Sequence, residues 1–450
     1  MNHRGTLWLG VIVLALSLFY SPLAAAEPLP PGVTVDVYAT FESGYPTAMA
    51  WAPDGRLAVS TKEGRLYIVA PGGGTAAVWL DLADVLVTEG EQGLIGVVFD
   101  PLFAVEPYVY VYYTTRIDEI ISNRVVRYRE VDGQLIDAFV LLDVPRAPED
   151  IPCSWHVAGN LHFDAEGDLF VTIGDYGCNA GNAQGRHTPK GKILRLNVRP
   201  PYRLQPNAAR GAAGNMPCET FATAGPPDSR VYACGFRNPF DFTFDSVTGF
   251  LFTTENGPGC NDEVNLVQSG ANYGWPHSAT SYDDCRALPA PYTEPVYVYP
   301  APIGIAGIEL FNSHTVPAWR HHLLWCANRT NTLFHAPFAT TAFDSLTPDS
   351  AAAIDGVSCP TDLAMGPDGR LYVLGFGVVR VLDNHACVLP WDLDQNDAVD
   401  IYDVLGMAAL WGTHWWDTVY DTRYDLNFDG EIDAVDVQEV SSHWGDTCPN

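Results

Sequence analysis

Along most of the chain, apolar and polar residues alternate in short runs broken by turn residues, the pattern of half-buried antiparallel strands. One unit recurs. Residues 50–59 read as an apolar strand, a Pro53-Asp54-Gly55 turn and a second strand, and residues 363–373 nearly repeat this around Pro367-Asp368-Gly369. Residues 161–171 carry Ala165-Glu166-Gly167 at the turn, and residues 242–252 carry Ser246-Val247-Thr248-Gly249. A looser copy spans 97–113 around Asp100-Pro101. A sixth spans 309–335, with Val316-Pro317 at its turn and Leu323-Leu324-Trp325 as its strand. Proline presets φ, aspartate caps the turn through its side chain, and glycine supplies a positive φ. Turn dipeptides alone would suit a β-sandwich, but here the whole unit recurs. The pattern predicts an all-β fold, a six-bladed β-propeller with long loop insertions.

Both ends depart from this pattern. Asn2-His3-Arg4 is basic, residues 7–19 are apolar, and Ala24-Ala25-Ala26 is a small-residue cleavage site. Residues 1–26 therefore read as a signal peptide of a secreted protein, too short for a membrane span. No later segment is apolar enough to cross a bilayer. After Cys387 the composition turns acidic. Asp392, Asp394, Asn396, Asp400 and Asp403 stand at positions 1, 3, 5, 9 and 12 of one loop, and Asp425, Asn427, Asp429, Asp433 and Asp436 repeat the spacing. A hard cation needs several oxygens from one short loop, so this predicts two calcium loops, with Ala398 and Glu431 offering backbone carbonyls at position 7. Val399 and Ile432 at position 8 would pack the loops together. A helical apolar pattern follows each: Val404, Leu405, Met407, Ala408, Leu410 and Trp411, then Val437, Val440 and Trp444. The expected division is residues 1–26, a propeller over 27–386, and a small α-helical calcium-binding module over 387–450.

Composition narrows the class. An apolar fraction of 47% supports a large core, and 12% aromatics with abundant Gly and Pro agrees with many short strands. A net charge of −30 excludes nucleic acid as partner, because its phosphates would repel the chain. Ten cysteines in an exported chain predict disulfides. Connectivity cannot be read directly; sequence neighbours suggest Cys153 with Cys178 and Cys260 with Cys285, and Cys387 with Cys448 would tie the ends of the C-terminal module.

Four motifs carry a resemblance: Glu91-Gln92-Gly93-Leu94-Ile95-Gly96; His156-Val157-Ala158-Gly159-Asn160-Leu161 followed by Thr172-Ile173-Gly174-Asp175; Gly235-Phe236-Arg237-Asn238-Pro239; and Glu255-Asn256-Gly257-Pro258 followed by Asp262-Glu263-Val264-Asn265 and Asn272-Tyr273-Gly274-Trp275-Pro276. Over residues 33–383 the chain resembles the glucose/sorbosone dehydrogenase family of soluble quinoprotein sugar dehydrogenases. That resemblance implies oxidation of a sugar or related alcohol or aldehyde, with hydride passing to pyrroloquinoline quinone (PQQ) beside a calcium ion. It makes His156 the base, Asp175 its orienting carboxylate, and Arg237 with Asn238 the quinone contacts. Gly257 and Pro258 become carbonyl ligands of the active-site calcium. Gln92 or Glu91 falls at a family polar contact, with the register open by one. Asp262-Glu263 and Asn272-Tyr273-Gly274-Trp275 read as architectural.

The chain also departs from the family. Cys359-Pro360-Thr361-Asp362 stands where quinoprotein members carry Arg-x-Arg-Asp, Arg329 stands near a quinone-contacting lysine, and Asn160 replaces an arginine. These losses leave a second reading open, a non-catalytic propeller that binds carbohydrate or protein at the same face. The C-terminal module resembles a type I dockerin, which implies calcium and a cohesin-bearing scaffold as partner. Asp397 stands where its loop expects Gly at position 6, and two extra tryptophans lie in the spacer 413–424.

Overall fold

The computed structural model describes residues 26–448 except 43, 152, 199–209, 212–214, 216–226, 277–291, 300, 341 and 349; residues 1–25 of the expected signal peptide and Cys285 lie outside the described residues. Six sheets, antiparallel but for one short parallel pair at the edge of the sixth, form the six-bladed β-propeller that the repeat predicts. The blades begin at strands Pro46–Trp51, Leu94–Phe99, Leu161–Phe163, Pro239–Phe244, Ile305–Phe311 and Asp362–Met365. Each of these first strands packs against the first strands of its two neighbours, so the six ring a central axis. The expected turns are built as read. Asp54 accepts the Arg56 N–H at 3.2 Å and Asp368 that of Arg370 at 3.1 Å, with Gly55 and Gly369 at φ 83° and 74°.

The sixth blade is closed by a strand from the other end of the chain. Val33–Thr40 pairs with Val378–Asn384, with Val33 opposite Asn384 and Thr40 opposite Val378. The ring is thus latched by hydrogen bonds between the two ends of the propeller segment, which abolishes an open edge. Between blades the core is aliphatic and aromatic: Tyr110, Val125 and Leu142 of the second blade meet Leu169, Val171 and Leu194 of the third. Each such fully buried side chain contributes roughly 1.5–3 kcal/mol by leaving water.

The C-terminal module holds the two α-helices among the described residues, α1 (Ile401–Ala408) and α2 (Ala434–Ser442). Both start at capping boxes, Asp400 with Asp403 and Asp433 with Asp436. The helices are shorter than the apolar pattern, so Leu410, Trp411 and Trp444 lie past their ends. Val399 and Ile432 pack with Met407, Leu426 and Val440, and Val247 and Phe343 of the propeller join the same cluster. Arg320 of the propeller donates to the carbonyl of Asp425 at 2.6 Å, and His314 Nε2 lies 2.8 Å from that of Leu426. The second loop is therefore docked on the propeller. Disulfides join Cys153 with Cys178, Cys387 with Cys448, and Cys326 with Cys359, the last linking the fifth blade to the entry of the sixth. The third pair joins consecutive cysteines 33 residues apart, a neighbour pairing that the sequence reading did not name. Cys234 and Cys260 are also disulfide-bonded.

Candidate functional site

A cavity of about 600 Å³ opens at the end of the propeller axis where the loops entering the blades converge. It is lined by His156, Arg237, Asn238, Gly257, Pro258 and Arg329, residues read from four separate stretches of sequence. Lys62, Glu91, Thr361 and Asp362 belong to its polar wall, as do Asn160, Asp262 and Asn328. The sequence reading named Gln92 and left Glu91 open. Glu91 is the one that faces the cavity, accepting the His156 backbone N–H at 2.7 Å and lying 3.3 Å from Asn238 Nδ2. Gln92 is buried beneath it and does not line the cavity.

His156 is held in an unusual backbone conformation. Its φ is 54° and that of Ala158 is 50°, a left-handed bend that non-glycine residues seldom adopt and that marks functional loops. Gly174 makes the bend fit: a Cβ there would lie 2.1 Å from the His156 carbonyl oxygen. The ring Nδ1 sits 2.7 Å from Asp175 Oδ1. Asp175 also accepts the Gly177 N–H on Oδ1 at 2.7 Å and the Trp275 indole N–H on Oδ2 at 2.7 Å. With Nδ1–H pointing at a carboxylate, the lone pair of Nε2 is left for chemistry at the cavity. Trp275, read as architectural, thus touches the carboxylate that orients the histidine. The Asn-Tyr-Gly-Trp run was the signal for it, but only the fold reveals the partner.

Arg237 is 8% exposed and its guanidinium lies over the Trp275 ring at 5.7 Å. Its Nη1 donates to the Asn256 carbonyl at 2.7 Å and its backbone N–H to Glu255 Oε1 at 2.5 Å. Burial, with Glu263 and Asp175 nearby, pushes the Glu255 carboxyl well above its ordinary range. Glu263, directly opposite in the strand pair, is pushed up to about 7, chiefly by burial. Asp262 fastens the Gly257-Pro258 turn by accepting the Gly257 N–H at 3.0 Å, and it holds Ile303, Gly304 and Ile305 through their N–H groups. Asn160, in place of the family arginine, lines the cavity and donates to Asp241 at 2.5 Å.

In the C-terminal module, Asp392, Asp394 and Asp403 bring carboxylate oxygens within 4.8 Å of one another. Asn396 and Ala398 lie on the same loop, tied by the Ala398 N–H to Asn396 Oδ1 at 3.0 Å. The second loop is its match. Asp425 Oδ2 accepts the Gly430 N–H at 2.9 Å as Asp392 Oδ2 accepts that of Asp397 at 2.8 Å. Asp429 Oδ1 holds the Glu431 N–H, Asn427 Nδ2 lies 2.7 Å from Asp429 Oδ2, and Asp436 closes the loop on the Leu426 N–H. Asp397, in place of glycine, adopts φ 69°, close to the 86° of Gly430, so the substitution leaves the loop backbone intact.

Comparison with known proteins agrees with the motifs. The glucose/sorbosone dehydrogenase family pattern matches residues 43–376, and the dockerin type I pattern matches 390–443. Aldose sugar dehydrogenase YliI of Escherichia coli is 26% identical across 80% of this chain and 95% of its own. Quinoprotein glucose dehydrogenase B of Acinetobacter calcoaceticus is 27% identical, over 55% of this chain and 53% of that protein. Among solved structures, a Thermus thermophilus protein assigned as an oxidoreductase (glucose dehydrogenase) superposes with a TM-score of 0.63 at 27% identity, over 78% of this chain and all of its own. The PQQ-bound aldose sugar dehydrogenase of Streptomyces coelicolor shares the fold, with a TM-score of 0.60 at 23% identity. The chain belongs to the glucose/sorbosone dehydrogenase family and carries a type I dockerin domain at its C-terminal end.

Proposed function

We propose that this protein is a secreted dehydrogenase that oxidises a sugar, or a related alcohol or aldehyde, by passing hydride to bound PQQ. The supporting observation is the convergence of the His156–Asp175 pair and Arg237 on one cavity of the family fold. The residues present fit a planar polyanionic quinone. Arg237, Arg329 and Lys62 supply positive charge, and two buried polar atoms that face this region, Arg237 Nε and Thr361 Oγ1, have no hydrogen-bond partner. The carbonyls of Gly257 and Pro258 accept no hydrogen bond among the described residues and suit a calcium ion.

When bound, the quinone supplies the two-electron acceptor for the hydride. His156 Nε2 accepts the proton of the substrate hydroxyl as the carbon–hydrogen bond gives up its hydride. Such a positioned base contributes roughly 10²–10⁴ in rate, and Asp175 fixes its ring and opposes the charge that arrives on it. Arg237 supplies fixed positive charge where negative charge develops on a carbonyl oxygen. Asn238 holds the Ala158 N–H at 3.0 Å and so keeps the histidine loop in place. The acidic loops of the dockerin domain bind calcium and tether the enzyme to a cohesin-bearing scaffold.

The test is to load purified protein with calcium and PQQ, then follow dye reduction across a panel of sugars. Turnover that disappears in His156→Ala, with quinone binding retained, is the expected result. Absence of bound quinone and of turnover overturns the reading.

A further inference from the structure

The chain contains three lysines. Two are consumed inside the fold: Lys190 pairs with the buried Asp150, and Lys192 donates to the carbonyls of Asn182, Ala183 and Lys190. The third, Lys62, lines the candidate cavity, and its ammonium has no hydrogen bond or ion pair among the described residues. In a protein with net charge −30, an ammonium left without a carboxylate is an anomaly. Its neighbour Glu63 is turned away, accepting the Tyr45 N–H at 2.9 Å.

The position of Lys62 is fixed. It sits in the turn between strands Leu57–Thr61 and Arg65–Val69 of the first blade. Its stem packs on Gly93, where an added Cβ would stand 2.7 Å from Lys62 Cγ. Arg329 occupies the corresponding turn of the fifth blade, between His322–Ala327 and Thr332–Pro337, and reaches across Gly304 to donate to the Pro302 carbonyl at 3.1 Å. The sixth blade lies between these two, and its entry is Thr361-Asp362. One network joins the three. Asn328 donates to the Tyr45 hydroxyl at 2.6 Å and to the Pro360 carbonyl at 2.8 Å, while the Lys62 N–H donates to the Tyr45 carbonyl at 2.8 Å.

The acids on this cavity are engaged elsewhere, Glu91 by accepting the His156 N–H at 2.7 Å and an Asn238 N–H at 3.3 Å on Oε2. Asp362 spends its oxygens on the N–H groups of Met49 and Leu363, Oδ2 on the first at 2.7 Å and Oδ1 on the second at 2.8 Å. Asp262 spends its oxygens on four backbone N–H groups. Beside Asp362, Thr361 offers a buried hydroxyl with no partner.

We infer that Lys62 and Arg329, projecting from the first and fifth blades, form a carboxylate-anchoring clamp across the entry of the sixth blade, and that the ligand bound there presents at least two carboxylates. This rests on the quinone reading above and assigns its anionic edge to residues of this chain: two cations from the flanking blades take over the task that the sixth-blade entry, Cys359-Pro360-Thr361-Asp362, has no arginine to perform. An ammonium and a guanidinium on opposite sides suit two separated carboxylates, the first as a point charge and the second as a planar fork.

The test titrates full-length wild type, Lys62→Met, Lys62→Arg and Arg329→Met with PQQ in calcium buffer, reading tryptophan quenching and equilibrium dialysis. Thermal protection by benzene-1,3,5-tricarboxylate is measured in parallel. The expected result is a loss of about tenfold or more in PQQ affinity for each Met variant, the range for a charge-assisted hydrogen bond, with affinity restored in Lys62→Arg and a shallower salt dependence in both Met variants. Equal affinity in Lys62→Met and wild type overturns the clamp while leaving the quinone reading standing. If wild type binds no PQQ, the quinone reading falls; tricarboxylate protection that is lost in Lys62→Met then still supports the clamp, and its absence from wild type overturns that as well.

Discussion

Replacing Asp175 by Asn tests whether the His156 pair does chemistry or only packs. Three N–H donors converge on this carboxylate: His156 Nδ1 and Gly177 N at Oδ1, and Trp275 Nε1 at Oδ2, all at 2.7 Å. An amide offers one acceptor oxygen. With that oxygen at the Oδ1 position the histidine and Gly177 stay satisfied, and the amide nitrogen then abuts the indole N–H. The side chain fits but orphans one buried donor, at a stability cost of about 1–3 kcal/mol. The larger effect is on rate. When His156 takes a proton, the wild-type site opposes the new charge with a carboxylate, and the variant opposes it with a neutral dipole. Two unit charges about 4 Å apart interact by about 4 kcal/mol at an effective dielectric of 20, which corresponds to roughly a thousandfold in rate. Trp275→Phe removes only the Oδ2 donor and keeps the carboxylate, so its loss should be about tenfold, near one net hydrogen bond. The assay is kcat with saturating sugar and dye on calcium- and quinone-loaded protein, with quinone affinity and Tm measured on the same samples. If Asp175→Asn binds quinone as wild type does and keeps kcat within about threefold, His156 is not the base.

Other expectations follow from the same geometry. Cys387 and Cys448 are 61 residues apart, and a loop of that length is worth about 4 kcal/mol in chain entropy, so Cys448→Ser should lower the unfolding temperature of the C-terminal module by calorimetry while the propeller transition stays put. Burial raises Glu263 to about 7 in the folded state. A raised carboxyl stabilises below its unfolded value near 4.3 and loses that stability as pH climbs through 7. Glu263→Gln should therefore gain roughly 1–3 kcal/mol over wild type at pH 8 and nothing at pH 4, read by denaturant midpoints. Arg320→Ala removes the donors to the Asp425 and Arg423 carbonyls but leaves the Val247–Phe343 cluster and His314 in place, so the module should stay docked and show a lowered unfolding temperature by calorimetry without a change in propeller Tm. Chelation of calcium should expose residues 390–443 to protease ahead of the propeller.

How much of this was legible in the sequence depends on the distance over which each feature is encoded. The blades were readable because a Pro-Asp-Gly turn and its flanking alternation occupy about ten consecutive residues, and turn chemistry there is local. The calcium loops were readable for the same reason: every side-chain ligand falls within one twelve-residue loop. What escaped was non-local. The latch of Val33–Thr40 onto Val378–Asn384 joins strands more than three hundred residues apart, and neither carries a mark of the other. The choice between Glu91 and Gln92 turned on which of two adjacent side chains meets the His156 N–H, a contact between segments 65 residues apart.

The cavity gives the sharpest case. Motif comparison could register that Cys359-Pro360-Thr361-Asp362 lacks two arginines, because motifs are compared position by position. It registered Arg329 as standing near a family lysine but not Lys62, which belongs to the first blade and reaches the same edge only through ring closure. In a ring of radially arranged sheets, equivalent turns of neighbouring blades converge on one axis. A binding group can therefore move from one blade to the next without moving far in space. Loss at a motif position in such a fold is evidence about that position. The inventory of charge around the whole rim decides whether the ligand still has a partner.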